Sequence, residues 1–328
     1  MSFPTPKPLL IIMNPVTQAD RDQIARHFEV VFAPTPEQYA QAVAEHAPRV
    51  DVVMTIGAIG LTAGQIDALP NLKLIYSMGA GYEKIDLDHA RRRGVKVANG
   101  AGTNDSCVAD HAMGLMIAVI RGIPRLDQLT RQGVWRTQLP LPPNVSGKKL
   151  GIIGLGGIGE KVALRAQAFE MQIGYHNRRP RPGSPHRYFP SVGELAGWSD
   201  VLLVAIPGGD STHHLIDGAI LDQLGPNGYL INIARGSVVE TVALERALRQ
   251  RTIAGAALDV YEGEPELPAA LADLTNLVLT PHIAGWSPEA MQLMVDKFLE
   301  NTRRLYAGEP LLTPLAGLSF SGRRKPLG

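Results

Sequence analysis

At 328 residues the chain is long enough for about two domains of roughly 150 residues each. Its 45% hydrophobic and 19% charged residues allow a well-buried globular core, and a formal net charge of +1 gives no broad basic field for nucleic acid or an anionic membrane. The single cysteine, Cys107, excludes an intrachain disulfide and fits a reducing, cytoplasmic compartment. The first apolar run, residues 9–13, is too short for a signal-peptide core or a membrane span and predicts a β-strand.

The first hundred residues alternate short apolar runs with helical patterns. The predicted strands are 9–13, 29–33, 51–54, 72–77 and 95–98, and the helices between them are 18–27, 37–46, 62–68 and 87–93. Strands that alternate with helices indicate a parallel sheet. We therefore expect a complete small α/β unit in this part of the chain.

A long helical pattern at residues 105–120 precedes a second α/β series. Several prolines interrupt residues 123–147, which we predict to be irregular, either as a surface loop or as an arm that packs on a partner subunit. The strands predicted beyond it are 149–153, 172–176, 201–206, 229–233, 253–258 and 277–280. A last helix is predicted at residues 287–306.

The order of these segments predicts the domain organisation. Since the second series lies in the middle of the chain, we expect a domain at 101–287 to be inserted into a domain formed by 1–100 and 288–328. The last helix would then return to close the N-terminal domain. A crevice between two such domains is the expected place for a ligand.

Residues 149–159 read KLGIIGLGGIG, an apolar strand that turns into a glycine-rich loop and then into a helix. This strand–turn–helix setting makes G-x-G-x-x-G typical of a dinucleotide site. Gly154 permits the tight turn, Gly156 lets the backbone approach a pyrophosphate, and Gly159 lets the helix pack close to the strand. Unpaired N–H groups at the helix start, at Gly157 and Ile158, would face the anion. Because glycine also serves ordinary tight turns, the setting carries this prediction.

Three ionisable residues follow predicted strands of the second series: Arg235, Glu264 and His282. In an open parallel sheet the ligand crevice lies outside the carboxyl ends of the strands, so all three would project towards one place. Taken singly, the arginine also fits a surface charge, the histidine an ordinary hydrogen-bonding residue, and the glutamate a loop carboxylate. Their convergence therefore carries the prediction.

The types of these three residues fit the reduction of a 2-keto acid by hydride. An arginine can hold the carboxylate and polarise the ketone oxygen. A histidinium can give the forming alkoxide its proton. A carboxylate beside the imidazole fixes its orientation and favours its protonated form.

The segment after the second strand of this series bears on the choice of cofactor. An NAD site usually has Asp or Glu here to bind the ribose 2′-OH, whereas this chain has Asn177, Arg178 and Arg179, followed by Arg181. Arginine can bind a 2′-phosphate through paired, charge-assisted hydrogen bonds. We therefore predict a preference for NADP(H), with NAD(H) still possible; a solvated basic loop is the alternative.

The chain resembles the D-isomer-specific 2-hydroxyacid dehydrogenase family over nearly its whole length. The matching pieces are LPNLKLIYSMGAGYEKIDLDHARRRGVKVAN, VADHAMGLMIA, GKKLGIIGLGGIG, DVLLVAIPGGDSTHHLID, GYLINIARGSVVE, AALDVYEGEP and LTPHIAGWS. The resemblance implies an α/β fold in which a Rossmann-type doubly wound parallel sheet, the dinucleotide-binding domain, is inserted into a smaller flavodoxin-like, substrate-binding domain. It also implies a homodimer built on the cofactor domain, to which the 123–147 arm would contribute.

The resemblance also assigns roles to single residues. It places the family's catalytic arginine, glutamate and histidine on Arg235, Glu264 and His282, with the arginine and the histidine touching substrate. It implies that backbone N–H groups of the turn at Ala80 and Gly81 bind the substrate carboxylate. An ordinary glycine-rich turn is the alternative at that place.

Four more positions are implied at the cofactor. Asp259 and the carbonyl of Ile233 would hold the nicotinamide amide, while Pro207 and Thr212 would lie by the adenosine end. The Gly-Gly pair at 208–209 departs from the commoner Leu-Thr of the family. No spacing of Cys, His and carboxylate residues in the sequence predicts a metal site.

The leading hypothesis is an enzyme that uses NADPH to reduce a small 2-keto acid of the glyoxylate or hydroxypyruvate type to the D-2-hydroxy acid. Within the family, the Y-H-N-R segment at 175–178 most resembles that of glyoxylate/hydroxypyruvate reductases. One alternative is an NAD-dependent D-2-hydroxyacid dehydrogenase with another substrate. The other is a dinucleotide-sensing binding module without turnover. We expect no nucleic-acid or membrane partner.

Overall fold

The computed structural model describes residues 3–315, and the chain divides into two compact units. Unit 1 comprises Met1–Asn104 and Ser287–Gly328, and unit 2 comprises Asp105–Trp286. In sequence, unit 2 is therefore inserted between the two segments of unit 1. The end of the predicted 288–328 segment, from residue 316 onward, lies outside the described residues, as do residues 1 and 2.

Unit 1 contains a five-stranded parallel sheet. Its strands are β1 Leu9–Ile12, β2 Glu29–Phe32, β3 Val50–Thr55, β4 Leu74–Ser77 and β5 Lys96–Asn99. They are hydrogen-bonded in the order β2-β1-β3-β4-β5, which is the flavodoxin-like order. Strands β1 and β4 are buried along their whole length, as expected for apolar parallel strands with both faces covered.

The first helices of unit 1 begin where the sequence supplies a side-chain cap. These helices are α1 Gln18–Ala25, α2 Pro36–His46, α3 Ala63–Asp67 and α4 Leu87–Arg92, with a 3-10 turn at Ala47–Arg49. Thr17, Thr35 and Thr62 precede the first three and form a capping box with the residue three positions later. Each box satisfies two backbone N–H groups, so these starts are set by local sequence.

Unit 2 begins with two helices, α5 Asp105–Arg121 and α6 Ile123–Arg131. Helix α5 is buried along one side, at Val108, Ala109, Ala112, Met113, Leu115, Met116, Val119 and Ile120. Among the described residues no single helix is long and apolar enough to cross a membrane, and α5 and α6 meet that test only as a pair bent by 57°.

The prediction that residues 123–147 are irregular is wrong in part, because α6 and a 3-10 turn at Arg136–Gln138 lie within them. Pro124 stands in the first turn of α6, where its missing N–H leaves no hydrogen bond unmade. Gly122 adopts the left-handed conformation, with φ of 64°, and separates α6 from α5. Proline in this segment therefore starts a helix.

The sheet of unit 2 has seven parallel strands. They are β6 Lys149–Ile153, β7 Gln172–His176, β8 Arg187–Tyr188, β9 Val201–Val204, β10 Tyr229–Asn232, β11 Gly255–Leu258 and β12 Leu277–Leu279. Their order is β12-β11-β10-β9-β6-β7-β8, the Rossmann order, which switches direction between β6 and β9. The edge strand β8 was absent from the sequence prediction because its two residues form no apolar run.

The remaining helices connect these strands, and one returns to unit 1. They are α7 Gly157–Gln167, α8 Val192–Trp198, α9 Gly218–Leu224, α10 Thr241–Arg249 and, in unit 1, α11 Pro288–Ala307; 3-10 turns lie at Asp210–Thr212, Gly236–Val238 and Ala269–Leu271. Phe298 of α11 is fully buried against the rings of Tyr76 and Phe28, with ring centroids 5.2 and 5.5 Å away. The predicted α/β fold, with one Rossmann-type and one flavodoxin-like sheet, is confirmed.

Candidate active site

The loops that follow β10, β11 and β12 carry the residues predicted for catalysis. These strands are parallel neighbours, so the three loops leave the same edge of the sheet. Arg235 follows β10, Glu264 follows β11 and His282 follows β12. The structure brings the last two into direct contact.

His282 and Glu264 form a close pair, with Nδ1 of the imidazole 2.7 Å from Oε2 of the carboxylate. The other carboxylate oxygen accepts the backbone N–H of Tyr261 at 2.9 Å, which fixes the carboxylate itself. The His282 side chain is 47% exposed, and its Nε2 has no hydrogen-bond partner in the described part of the chain. A carboxylate on Nδ1 places the proton there and leaves Nε2 to face a ligand.

The turn that carries His282 is held by the buried carboxylate of Asp259. Its Oδ1 accepts from the N–H of Ile283 and its Oδ2 from the N–H of Ala284, both at 2.9 Å. His282 itself has φ of 53°, a left-handed conformation that costs a residue with a side chain roughly 1–3 kcal/mol. Its N–H donates to the Asp259 carbonyl at 2.8 Å. Asp259 thus supports the histidine, a role that the sequence did not predict.

Two further side chains complete this support, and sequence reasoning missed both. The Thr280 hydroxyl donates to Asp259 Oδ1 at 2.6 Å, and its oxygen lies 2.9 Å from His111 Nε2 on α5. His111 Nε2 is also 3.5 Å from the same carboxylate oxygen. The only sequence signal for this network is an aspartate at the end of a buried apolar strand, where a charge requires partners.

Arg235 is partly buried at the end of β10. Its Nη1 donates to the Ala234 carbonyl at 2.6 Å. Fully buried Asn232 shapes the turn, because its amide group donates to the Arg235 carbonyl at 3.1 Å and accepts the Ala234 N–H at 3.0 Å. A Cβ at Gly208 would approach Cγ of Arg235 to 2.9 Å, so the glycine that departs from the family pattern leaves room for this arginine.

The glycine loop shows a different constraint at each glycine. Gly154 has φ of 99°, and a Cβ there would collide with the carbonyl of Ala205. A Cβ on Gly159 would likewise collide with the Gly154 carbonyl. Gly156 has φ of −97° and nothing within 4 Å of a Cβ, so the fold itself does not require glycine there. Helix α7 begins at Gly157 without a side-chain cap, which leaves its first N–H groups for an anion.

This difference predicts opposite results for two alanine substitutions. Gly154→Ala should lower the free energy of unfolding by about 2 kcal/mol, because the methyl group meets backbone in a left-handed conformation. Gly156→Ala should change the free energy of unfolding by less than about 1 kcal/mol, since its methyl group points into open space. It should weaken dinucleotide binding about tenfold or more, because the methyl group would stand where a pyrophosphate approaches the backbone. Urea unfolding and calorimetric titration check both. Equal loss of stability in the two variants would contradict this reading of the loop.

The segment after β7 faces the glycine loop. Asn177 accepts the Leu155 N–H through Oδ1 at 2.8 Å, and Arg181 also bonds to the loop. Arg178 and Arg179 are exposed and have no hydrogen bond or ion pair within residues 3–315. The segment therefore presents two uncommitted positive charges beside the loop.

The positions implied by resemblance lie on neighbouring loops. The Thr212 hydroxyl donates to the Pro207 carbonyl at 2.9 Å, which closes the loop after β9. Ile233 is buried and extends the sheet, its N–H bonding to the Val204 carbonyl at 3.3 Å.

The turn at Ala80 and Gly81 lies at the end of β4 in unit 1. Both carbonyls are bound from within the unit: Asn99 donates to the Ala80 carbonyl at 2.7 Å, and the Ser77 hydroxyl to the Gly81 carbonyl at 2.5 Å. Gly79, with φ of 101°, sets the bend. The N–H groups of Ala80 and Gly81 donate no hydrogen bond within residues 3–315. The turn therefore offers two N–H groups, as an anion nest would.

His213, His214 and Glu262 form a cluster whose possible ligand atoms lie within 4.8 Å of one another. The two imidazole rings are stacked, with planes 29° apart and centroids at 3.9 Å. Glu262 already accepts from His214 at 2.7 Å and from the Thr241 N–H at 3.0 Å. Burial would raise the pKa of Glu262, but these hydrogen bonds hold it below its usual value. The cluster joins the loop at His213 and His214 and the loop at Glu262 to the start of helix α10.

The chain matches a known family model over residues 113–284. That model is described as D-isomer specific 2-hydroxyacid dehydrogenase, NAD binding domain. The chain belongs to the D-isomer specific 2-hydroxyacid dehydrogenase family. The predicted resemblance and the prediction of an oxidoreductase are confirmed, and the matched part of this dehydrogenase lies within unit 2.

The dehydrogenase is also similar to individual members over most of its length. It is 38% identical over 307 residues to hydroxyphenylpyruvate reductase of Plectranthus scutellarioides, covering 93% of this chain and 98% of that protein. It is 36% identical over 307 residues to glyoxylate/hydroxypyruvate reductase A of Arabidopsis thaliana, with 93% and 98% covered. The crystal structure of NADPH-dependent glyoxylate/hydroxypyruvate reductase from Sinorhizobium meliloti, in complex with NADP and malonate, matches with a TM-score of 0.87 and 35% identity, covering 94% of this chain and 97% of that one.

Proposed function

We propose that this dehydrogenase uses NADPH to reduce a small 2-keto acid of the glyoxylate or hydroxypyruvate type to the D-2-hydroxy acid. Arg235, Glu264 and His282 are its catalytic residues in this proposal. The observation that carries it is the 2.7 Å contact between His282 and Glu264, which leaves the imidazole Nε2 exposed. A half-exposed histidine backed by a fixed carboxylate is the arrangement that a general acid requires.

Each of the three side chains has one task. The Arg235 guanidinium binds the carboxylate and the ketone oxygen of the substrate. Protonated His282 donates its Nε2 proton to that oxygen as it becomes an alkoxide. Glu264 accepts the Nδ1–H, which orients the ring and balances the charge of the imidazolium. The reduced nicotinamide, when bound, supplies the hydride.

The residues around the glycine loop fit a dinucleotide. The open space beyond Gly156 and the uncapped start of α7 suit a diphosphate, which needs close backbone approach and free N–H groups. In this proposal unit 2, predicted as 101–287, is the dinucleotide-binding domain. The residues that would hold the cofactor are Gly154, Gly156, Gly157, Ile158, Gly159, Asn177, Arg178, Arg179, Pro207, Thr212, Ile233 and Asp259.

The proposed preference for NADPH rests on the segment after β7. The exposed, uncommitted guanidinium groups of Arg178 and Arg179 suit a 2′-phosphate. No carboxylate follows β7 to accept from a ribose 2′-OH, and Asn177 is engaged with Leu155. The similar reductase from Sinorhizobium meliloti is named NADPH-dependent, which supports the same choice.

We also propose roles for unit 1 and for the substrate carboxylate. Unit 1, predicted as 1–100 and 288–328, would be the substrate-binding domain, and the N–H groups of Ala80 and Gly81 would bind the carboxylate. The names of the similar reductases, which refer to glyoxylate, hydroxypyruvate and hydroxyphenylpyruvate, support a 2-keto acid as substrate.

The direct test follows absorbance loss of NADPH and of NADH with glyoxylate, hydroxypyruvate, pyruvate and phenylpyruvate. We expect oxidation with glyoxylate or hydroxypyruvate and a higher kcat/KM with NADPH. Turnover with NADH alone would overturn the NADPH preference and leave an NAD-dependent dehydrogenase. Cofactor binding without oxidation by any keto acid would indicate the binding module instead.

We propose a homodimer built on unit 2 and the 123–147 arm. The arm exposes large apolar side chains: Ile123, Trp135 and Leu141 are 49%, 64% and 96% exposed. Such a patch favours burial against a second copy. Trp135→Glu combined with Leu141→Glu should convert a dimer into a monomer in sedimentation velocity, whereas Val242→Glu, at an equally exposed site outside the arm, should not. A monomeric unsubstituted protein would contradict this.

We propose a cytoplasmic enzyme that acts on small molecules, with no nucleic-acid or membrane partner. Its lone Cys107 leaves no intrachain disulfide to require an oxidising compartment. A formal net charge of +1 gives little attraction for polyanions. The partner expected besides a second copy is therefore a small 2-keto or 2-hydroxy acid.

A further inference from the structure

A single arginine ties the glycine loop to the segment after β7. Arg181 Nη1 donates to the Leu155 carbonyl at 2.8 Å, and its Nη2 lies 2.8 Å from Glu160 Oε1. Leu155 is the second residue of the glycine loop, and Glu160 lies in the first turn of α7. One planar guanidinium therefore spans the loop from its entry to the helix that it starts.

Leu155 is held through both of its backbone polar groups. Its N–H donates to Asn177 Oδ1 at 2.8 Å, while its carbonyl accepts from Arg181. Arg181 is itself anchored, because its backbone N–H donates at 2.9 Å to the hydroxyl of Tyr175, a residue only 1% exposed. These bonds fix the orientation of the two peptide groups that flank Leu155, the second of which leads into Gly156.

We propose that Arg181 is a positioning residue of the dinucleotide site: it holds the glycine loop in its binding conformation and so sets the affinity for NADPH and NADH alike. This inference rests on the proposed dinucleotide site but not on the preference for NADPH. The Arg181 guanidinium is bonded to Leu155 and Glu160, whereas Arg178 and Arg179 have no such bonds and would discriminate between the cofactors. Loop order and cofactor choice would then belong to different arginines of one segment.

The substitution that separates these roles is Arg181→Lys. Lysine keeps the positive charge but has one nitrogen on a flexible stem, so it cannot bridge Leu155 and Glu160 as a planar fork does. Arg165→Lys is the matched control. Arg165 on α7 also joins a carboxylate to a carbonyl, with Nε 2.6 Å from Asp110 and Nη1 donating to Lys161 at 3.0 Å, but it does not touch the glycine loop.

Two readouts test the proposal. Calorimetric titration should show that Arg181→Lys weakens the binding of NADPH and of NADH by about the same factor. That factor is roughly tenfold if the binding conformation of the loop falls to about a tenth of the population. Amide hydrogen exchange on the cofactor-free protein should show faster exchange of the Leu155 N–H. The Arg165→Lys control should change neither.

Three results would overturn it. A loss confined to NADPH would make Arg181 a phosphate-binding residue, and unchanged binding of both cofactors would give it no part in the site. Unchanged exchange at Leu155 would show that the loop is ordered without it. If the unsubstituted protein binds neither nucleotide, the proposed function fails as well, which distinguishes that failure from one limited to Arg181.

Discussion

Replacement of His282 by alanine should lower kcat for keto-acid reduction by about 10²- to 10⁴-fold, the usual contribution of a general acid. The imidazole is the proton donor in the proposed reaction, so its removal leaves the forming alkoxide without that acid. Because the side chain is half exposed and, among residues 3–315, hydrogen-bonds only to Glu264, its removal should leave the fold and NADPH binding almost unchanged. Steady-state kinetics and calorimetric titration of NADPH measure the two effects separately.

A second histidine–carboxylate pair provides the control for this substitution. His89 on α4 of unit 1 lies 2.9 Å from Asp67, and neither residue is among those proposed for the site. His89→Ala should leave kcat within about twofold of that of the unsubstituted enzyme, because His89 is not among the residues proposed to touch substrate or cofactor. If His282→Ala keeps its kcat while NADPH affinity collapses, the role assigned to His282 is wrong.

Replacement of both Arg178 and Arg179 by alanine should raise the KM for NADPH about 100-fold and leave the KM for NADH nearly unchanged. Hydrogen bonds to a charged group contribute about 1.5–3 kcal/mol each, and 2.8 kcal/mol corresponds to about 100-fold. Both side chains are exposed and uncommitted, so the double variant should unfold at the same temperature as the unsubstituted protein. Kinetics with the two cofactors side by side measure the difference.

Arg187→Ala controls for the general loss of positive charge in this region. Arg187 lies on β8 and its guanidinium stacks over the ring of Phe189, 4.6 Å from the centroid, so it is committed elsewhere. Arg187→Ala should raise the KM for NADPH and the KM for NADH slightly and by the same factor. An equal rise in KM for NADPH and NADH in the double variant would leave Arg178 and Arg179 as a solvated basic loop.

The parts of this molecule that the sequence predicts best are those determined by local chemistry. The runs 149–153 and 172–176 coincide with β6 and β7, whose central residues are buried, as expected for parallel strands with both faces covered. The glycine loop could be predicted since its strand, turn and helix are consecutive. Alternating strands and helices predict that both sheets are parallel, whereas their flavodoxin-like and Rossmann types were implied by the family resemblance.

The supporting contacts of the candidate site depend on residues far apart in sequence, which a single sequence does not pair. His111 meets Thr280 across 169 positions, and Arg181 meets Leu155 across 26. The sequence does not predict helix α6 for a local reason: prolines within 123–147 indicate irregular structure, although Pro124 occupies a helical first turn. Buried Asp259 gives a usable signal, since a carboxylate at the end of an apolar strand must find partners.

Product analysis tests the central claim most directly. The enzyme is incubated with hydroxypyruvate and NADPH, and the enantiomers of the 2-hydroxy acid formed are separated by chiral chromatography. The amount of each is compared with the amount of NADPH consumed. The account predicts one D-2-hydroxy acid for each NADPH, with almost none formed by His282→Ala. Formation of the L-acid, or equal yields from the two proteins, would contradict the role of Arg235, Glu264 and His282 as the catalytic site.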